Sequence, residues 1–361
     1  MAGKGIRAAV QPFDVIAGGR RTGEGRGACA ATDVSIRPTA GIAGRHEESK
    51  DDRPTQRAHD SHIAPFASSA KAPYLTGWRE SRIGSGGNAL AVFEYGNPQP
   101  SAPALLLIHG LAHWTQGAWD RLVRLLDPAL RIVAFDLPGF GASDKPNAAY
   151  DAEFFVNATE RVAAALPDRF AVCGHSLGGA IAARYAGLHP ARVAHLTLIA
   201  PAGFAPRRLY GLLGSPLGRF LLECGPPKIV VDWVTRRATV ASTSIEPEEK
   251  QRSHAFMRDP AFRRSLAAVY RAAISDFAQT DRLATLARYR GPVLIGWGRN
   301  DRYVPIRVLA AVCAIYPQAV TEIFERSAHL PMIEEPQLLA TAMNAALTSR
   351  PSVLRPPGLQ K

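Results

Sequence analysis

The chain has 361 residues, 43 of them Lys or Arg against 31 Asp or Glu, for a formal charge of +12, and 47% are hydrophobic. That apolar content supports a sizeable core and excludes disorder throughout. The basic residues fall mostly singly or in pairs, such as Arg207-Arg208 and Arg236-Arg237, and Arg far outnumbers Lys, so no nucleic acid is expected as a partner.

Residues 1–72 contain stretches such as Gly18-Gly19 and Gly23-Glu24-Gly25. With no helical or strand period, they are expected to form a disordered or poorly ordered extension. A transit peptide is opposed by Glu47-Glu48 and Asp51-Asp52, since such peptides are poor in acids. An over-extended gene start is the other reading. Residues 73–350 are expected to form one folded domain, and 351–361 a flexible tail. No basic start is joined to a long apolar run and a cleavage site, and the longest apolar runs are too short to span a bilayer. Cys29, Cys173, Cys224 and Cys313 are widely spaced with no C-x-x-C. They suggest neither a zinc site nor a disulfide framework, and a cytoplasmic location is the expectation.

Ala89 to Tyr95 is the first strand predicted, ending at Gly96-Asn97-Pro98. Ala104 to Ile108 is continuously apolar, as in a strand buried on both faces of a parallel sheet. Arg131 to Phe135, Phe170 to Cys173, Val193 to Ile199, Pro292 to Trp297 and Val320 to Phe324 repeat the type. Helical patterns such as Asp151 to Leu166 and Leu177 to Leu188 lie between them, which predicts an α/β fold with a mostly parallel sheet. Residues 204–290 interrupt this alternation with helical patterns alone. They are expected to form an insertion over the C-terminal edge of the sheet, where open α/β sheets bind ligands.

Gly174-His175-Ser176-Leu177-Gly178 lies between a predicted strand and a predicted helix. A five-residue G-x-S-x-G pattern occurs by chance in Gly-rich loops, but the strand–turn–helix setting makes Ser176 a candidate nucleophile. The flanking glycines leave room for the tight turn. A serine hydroxyl needs a base, and the base needs an orienting acid. Asp301 follows the strand Pro292 to Trp297 and His329 follows Val320 to Phe324, which is the chain order such sites use. Taken singly, Asp301 is as readily an N-cap of a helix near Pro305, and His329 an ordinary loop histidine. The oxyanion is expected to meet the backbone N–H groups of Leu177 and Leu111, with Ala112 the second choice for the latter. Gly110 is expected to supply the unusual backbone angle that turns Leu111 inward. Trp114, His175 and Leu330 are candidate pocket residues, Trp114 and His175 being equally compatible with structural roles.

Together with His109-Gly110, Asp136 to Ser143 and Gly298-Arg299-Asn300-Asp301, these motifs resemble the α/β-hydrolase fold superfamily, in its serine esterase/lipase-like branch. The resemblance covers about residues 74–350. It implies an eight-stranded, mostly parallel sheet with helices on both faces, a helical cap at the insertion, a Ser176–His329–Asp301 triad and a structural role for Asp136. Haloalkane dehalogenases and epoxide hydrolases are similar elsewhere but carry Asp as nucleophile, so Ser176 argues against both. The activity implied is hydrolysis of a small-molecule carboxylic ester through an acyl-enzyme, with no cofactor and no metal.

Leu209-Tyr210, Leu212-Leu213, Phe220-Leu221-Leu222 and Ile229-Val230-Val231 make the cap apolar. They suggest a hydrophobic acyl pocket, plain cap packing or weak lipid-surface contact. Two alternatives stand beside the esterase. Leu198 to Gly203 is similar to carbon–carbon bond hydrolases of aromatic meta-cleavage products, from which Leu111-Ala112-His113 and Leu330 depart. A non-catalytic binding protein on the same fold is the other. The oligomeric state is left open.

Overall fold

The computed structural model describes residues 77–204, 215–241, 244–272, 276–277 and 284–348. The expected N-terminal extension, the tail and Leu209 to Leu213 of the insertion lie outside the described residues. Eight strands form one sheet: β1 (Arg79–Ile83), β2 (Leu90–Gly96), β3 (Ala104–Ile108), β4 (Arg131–Phe135), β5 (Phe170–His175), β6 (Val193–Ile199), β7 (Val293–Gly298) and β8 (Val320–Phe324). Their order is β1-β2-β4-β3-β5-β6-β7-β8. β1 pairs with β2, and β2 with β4, antiparallel; every other pairing is parallel.

The apolar runs become central strands because both faces of the sheet are covered. Along β3, Leu105 and Leu107 enter one core layer, while Leu106 and Ile108 enter the other. In β4, Ile132 and Ala134 divide from Val133 and Phe135 in the same way. This period of two places α1 (Thr115–Val123) on one face and α2 (Ala152–Ala163) and α3 (Leu177–Leu188) on the other.

β1 was not expected. Its residues, Arg-Glu-Ser-Arg-Ile, lack apolar alternation and are mostly solvent-facing. It is an edge strand, where charges discourage pairing with another chain.

Between β6 and β7 the described elements are helices: α4 (Pro216–Cys224), α5 (Pro227–Ala238), α6 (Pro247–Arg258) and α7 (Pro260–Arg271). Each begins with proline, whose fixed φ suits the first helical position and which has no N–H to leave unpaired. The Ser215 and Asp259 side chains cap α4 and α7, accepting from Gly218 N at 3.1 Å and Ala261 N at 2.8 Å. After β7 come α8 (Leu309–Ile315), α9 (Pro331–Glu334) and α10 (Pro336–Thr348). No helix among the described residues is long and apolar enough to cross a membrane.

Candidate active site

Ser176 stands between β5 and α3 with φ 52° and ψ −115°, a backbone region that side-chain-bearing residues rarely occupy. The surroundings hold it there. Its N–H donates to Ile199 O at 2.9 Å, and its carbonyl accepts from Ala202 N at 2.9 Å and Ala180 N at 3.1 Å. The glycines around it are required by close approach. A Cβ on Gly174 would strike the Gly178 backbone, one on Gly178 the carbonyls of Ile108 and His109, and one on Gly179 would lie 2.9 Å from Pro201 Cβ. The helix behind the serine is therefore pressed onto the sheet. Ser176 itself is partly exposed while its neighbours are buried.

Asp301 and His329 meet as the chain order suggested. The His329 Nδ1–H donates to Asp301 Oδ2 at 2.7 Å, with both side chains almost wholly buried. Asp301 Oδ1 accepts from Tyr303 N at 2.8 Å and Val304 N at 2.9 Å. One carboxylate oxygen thus fixes the loop and the other fixes the imidazole. Asp301 does not cap a helix, since Pro305 precedes the helical turn at Ile306–Val308.

The loop after β3 lies against the serine, because β3 and β5 are neighbours with Ile108 opposite Gly174. A Cβ on Gly110 would lie 2.7 Å from His175 Nδ1 and 3.2 Å from Ser176 Cβ. Here the structure corrects the expectation about Gly110: the residue with positive φ is Ala112, at 57°, and Gly110 is required for space. His109 braces the loop, its Nδ1–H donating to Gly110 O at 2.7 Å and its Nε2 accepting from Leu137 N at 2.9 Å. Burial lowers its pKa to about 4, so the ring stays neutral. Asp136 accepts from Thr115 N and Ala142 N, both at 2.7 Å. Leu177 opens α3, where N–H groups have no intrahelical acceptor.

The model of the alpha/beta hydrolase fold family matches residues 103–336. The chain belongs to this family. It is 30% identical over 251 residues to the pimeloyl-[acyl-carrier protein] methyl ester esterase of Nitrosomonas europaea, a match covering 68% of this chain and 96% of that one. Among solved structures, Cfl2 from Burkholderia cenocepacia superposes with a TM-score of 0.68 at 24% identity, over 78% of this chain and 98% of the other. The 2-hydroxy-6-oxo-6-phenylhexa-2,4-dienoate hydrolase of a Rhodococcus species does so at 0.64 and 20% identity, over 75% and 99%. These two likenesses concern the fold alone.

The candidate pocket residues of this α/β hydrolase are all buried. Trp114 stacks on His113 at 5.2 Å and meets Phe256 of α6 at 5.3 Å, where the insertion covers the sheet. Leu330 packs into the core layer beneath α1 and α10. His175 turns toward His329. Its Nε2–H donates to His329 O at 2.8 Å, and the two rings lie 4.7 Å apart. Burial and the neighbouring His329 hold His175 well below the usual histidine range. Its Nδ1, buried without a hydrogen-bond partner, faces the space that a Gly110 side chain would fill.

Three contributors escaped the sequence reading. The Tyr303 ring lies 5.3 Å from His329, on a loop whose only sequence signal was Asp301. Glu334 and Glu335 accept from the backbone of Ala328 and Arg326, at 2.7 and 3.0 Å, and hold the loop that carries His329. Their position shortly after His329 was the available signal. No group of three or more His, Cys, Asp or Glu side chains suited to a metal is found among the described residues. Cys173, Cys224 and Cys313 are free thiols.

Proposed function

We propose that this α/β hydrolase cleaves carboxylic esters, with Ser176 as nucleophile, His329 as base and Asp301 as orienting acid. The observation that carries the reading is the 2.7 Å bond from His329 Nδ1 to Asp301 Oδ2, which leaves Nε2 as the nitrogen able to take a proton. His329 Nε2 removes the Ser176 hydroxyl proton as the oxygen attacks the acyl carbon. The N–H groups of Leu111 and Leu177 hold the negative charge that develops on the former carbonyl oxygen. Each such donor contributes about 10²–10³-fold in rate. The imidazolium then protonates the departing alcohol, and a water activated by His329 releases the acid. Asp301 keeps the Nδ1 proton in place and stabilises the imidazolium. The methyl-ester activity named for the Nitrosomonas relative supports an ester substrate with a small alcohol.

A hydrophobic acyl group fits the apolar insertion, although the insertion is divided. Leu222 and Val231 point inward, whereas Phe220 and Ile229 are 60% and 63% exposed. The outward side chains Leu217, Phe220 and Leu221 follow the i, i+3, i+4 spacing of one helix face, which favours contact with a lipid surface as a second reading. A panel of p-nitrophenyl esters from acetyl to palmitoyl, run beside a meta-cleavage diketone, tests the assignment. Ester turnover that disappears in Ser176→Ala is expected. Turnover of the diketone alone would move the chain to carbon–carbon bond hydrolysis. A rate jump when the ester forms micelles is the expected mark of the lipid-surface reading; a smooth saturation curve contradicts it.

A further inference from the structure

The insertion does more than cover the sheet edge: the last turn of α5 is bonded to the loops that carry both Asp301 and His329. The final carbonyls of a helix lack intrahelical donors. Here catalytic-loop groups supply them. Arg236 O accepts from Arg302 Nη1 at 3.3 Å and Ala238 O from the His329 backbone N–H at 2.9 Å, and just before them Val234 O takes a bond from Tyr303 Oη at 3.2 Å. Arg237 Nη2 donates in return to Arg302 O at 3.3 Å.

Two residues beyond the helix, Val240 N donates to Glu334 Oε1 at 2.6 Å, and Ser244 Oγ reaches the same oxygen at 3.4 Å. Glu334 Oε2 accepts from Ala328 N at 2.7 Å. The two oxygens of one carboxylate therefore join the insertion to the residue before the base. Three backbone groups at the base are thus assigned. Ala328 N goes to Glu334, His329 N to the insertion, and His329 O to His175 beside the nucleophile.

We propose that the segment from Val234 to Val240, clamped by Glu334, is a strap that sets His329 against Ser176, with Glu334 as its principal positioning residue. It rests on the reading of Ser176 and His329 as nucleophile and base. Glu334 touches no reacting atom. It acts because Nε2 must lie within hydrogen-bonding reach of the serine hydroxyl, and a displacement of 1 Å costs up to about 100-fold in rate. The arrangement also makes the base sensitive to the insertion: whatever moves α5 pulls on the His329 N–H directly and on Ala328 through Glu334.

The test is Glu334→Gln, in which one oxygen becomes an NH₂ group unable to accept from Ala328 N or Val240 N. Active sites are titrated with a fluorophosphonate, and p-nitrophenyl acetate turnover is expressed per titrated site. The expected result is a fall in kcat per site of between about 10- and 100-fold, with KM within threefold. Ser244→Ala, which removes only the 3.4 Å contact, is expected to stay within twofold. Tyr303→Phe deletes the hydroxyl bond to Val234 O while keeping the ring on His329. It keeps the proposal testable should Glu334→Gln not fold, and is expected to lower kcat per site about three- to tenfold. A merely structural role predicts fewer titratable sites with unchanged turnover per site. That outcome in Glu334→Gln, or unchanged turnover in Tyr303→Phe, overturns the strap. Absence of titratable sites in the wild type defeats the serine-hydrolase reading instead.

Discussion

The sheet with its loops and the helical insertion solve opposite problems. In β3, β4 and β5 successive side chains enter two buried layers, and the glycines around Ser176 permit backbone contacts that a single methyl group would prevent. In α4 and α5 large apolar residues face solvent, among them Leu217, Phe220, Leu221, Ile229 and Trp233. The first region is over-determined by packing and can hold Ser176 in a strained conformation. The second joins the core through Leu222 and Val231 and is tied to the His329 loop by the carbonyls at the end of α5 and the Glu334 carboxylate. The sheet side fixes the backbone of Ser176, while the end of α5 ties the insertion to the loop that carries His329.

Substitutions in the two regions should therefore differ by orders of magnitude. The largest effect is expected from Asp301→Asn, which leaves a side chain of the same shape but favours the wrong histidine tautomer. Steady-state ester hydrolysis should show kcat lowered by about 10⁴-fold with the fold retained. A loss below tenfold breaks the assignment of Asp301. Next comes Gly178→Ala, whose Cβ runs into the carbonyls of Ile108 and His109. Urea unfolding should show a loss of about 3 kcal/mol or more, or no folded protein. Near-wild-type stability would mean that α3 can withdraw from the sheet.

Acid should also act on the sheet side. His109 is neutral when folded, its pKa lowered from 6.5 to about 4 by burial. Its unfolded form takes up a proton first as pH falls. Its contribution is complete above 6.5 and is lost between 6.5 and about 4, costing about 2 kcal/mol by pH 5. His175, also lowered by burial, acts in the same direction. Urea midpoints measured at pH 7.5 and 5 should separate accordingly, and coincident midpoints would contradict a neutral, buried pair. The smallest effect is expected from Phe220→Ser and Ile229→Ser, which should change stability by no more than about 0.5 kcal/mol. A loss of 2 kcal/mol at either would show that the outward face of the insertion is covered.

The same contrast explains what could be read from the amino-acid order. The central strands were legible because burial on both faces forces an unbroken apolar run, as in Ala-Leu-Leu-Leu-Ile. The turn at Ser176 was legible because glycine spacing and strand–helix context coincide. β1 was not, since an edge strand needs no apolar pattern. Gly110 was marked correctly as special but for the wrong physical cause, because a missing Cβ serves space as well as φ. The direction of apolar residues in α4 and α5 was not legible either. Helical spacing shows that a face exists without saying which side meets the core. The long-range ties from Ala238, Val240 and Glu334 to the His329 loop leave no local sequence pattern.

The central claim is that Ser176 is an activated nucleophile. Folded wild-type protein treated with a fluorophosphonate and analysed by intact mass should gain one covalent adduct, mapped to Ser176. Ser176→Ala should gain none, and His329→Ala should react far more slowly. Folded wild-type protein that remains unlabelled, or is labelled equally well without Ser176, contradicts the account.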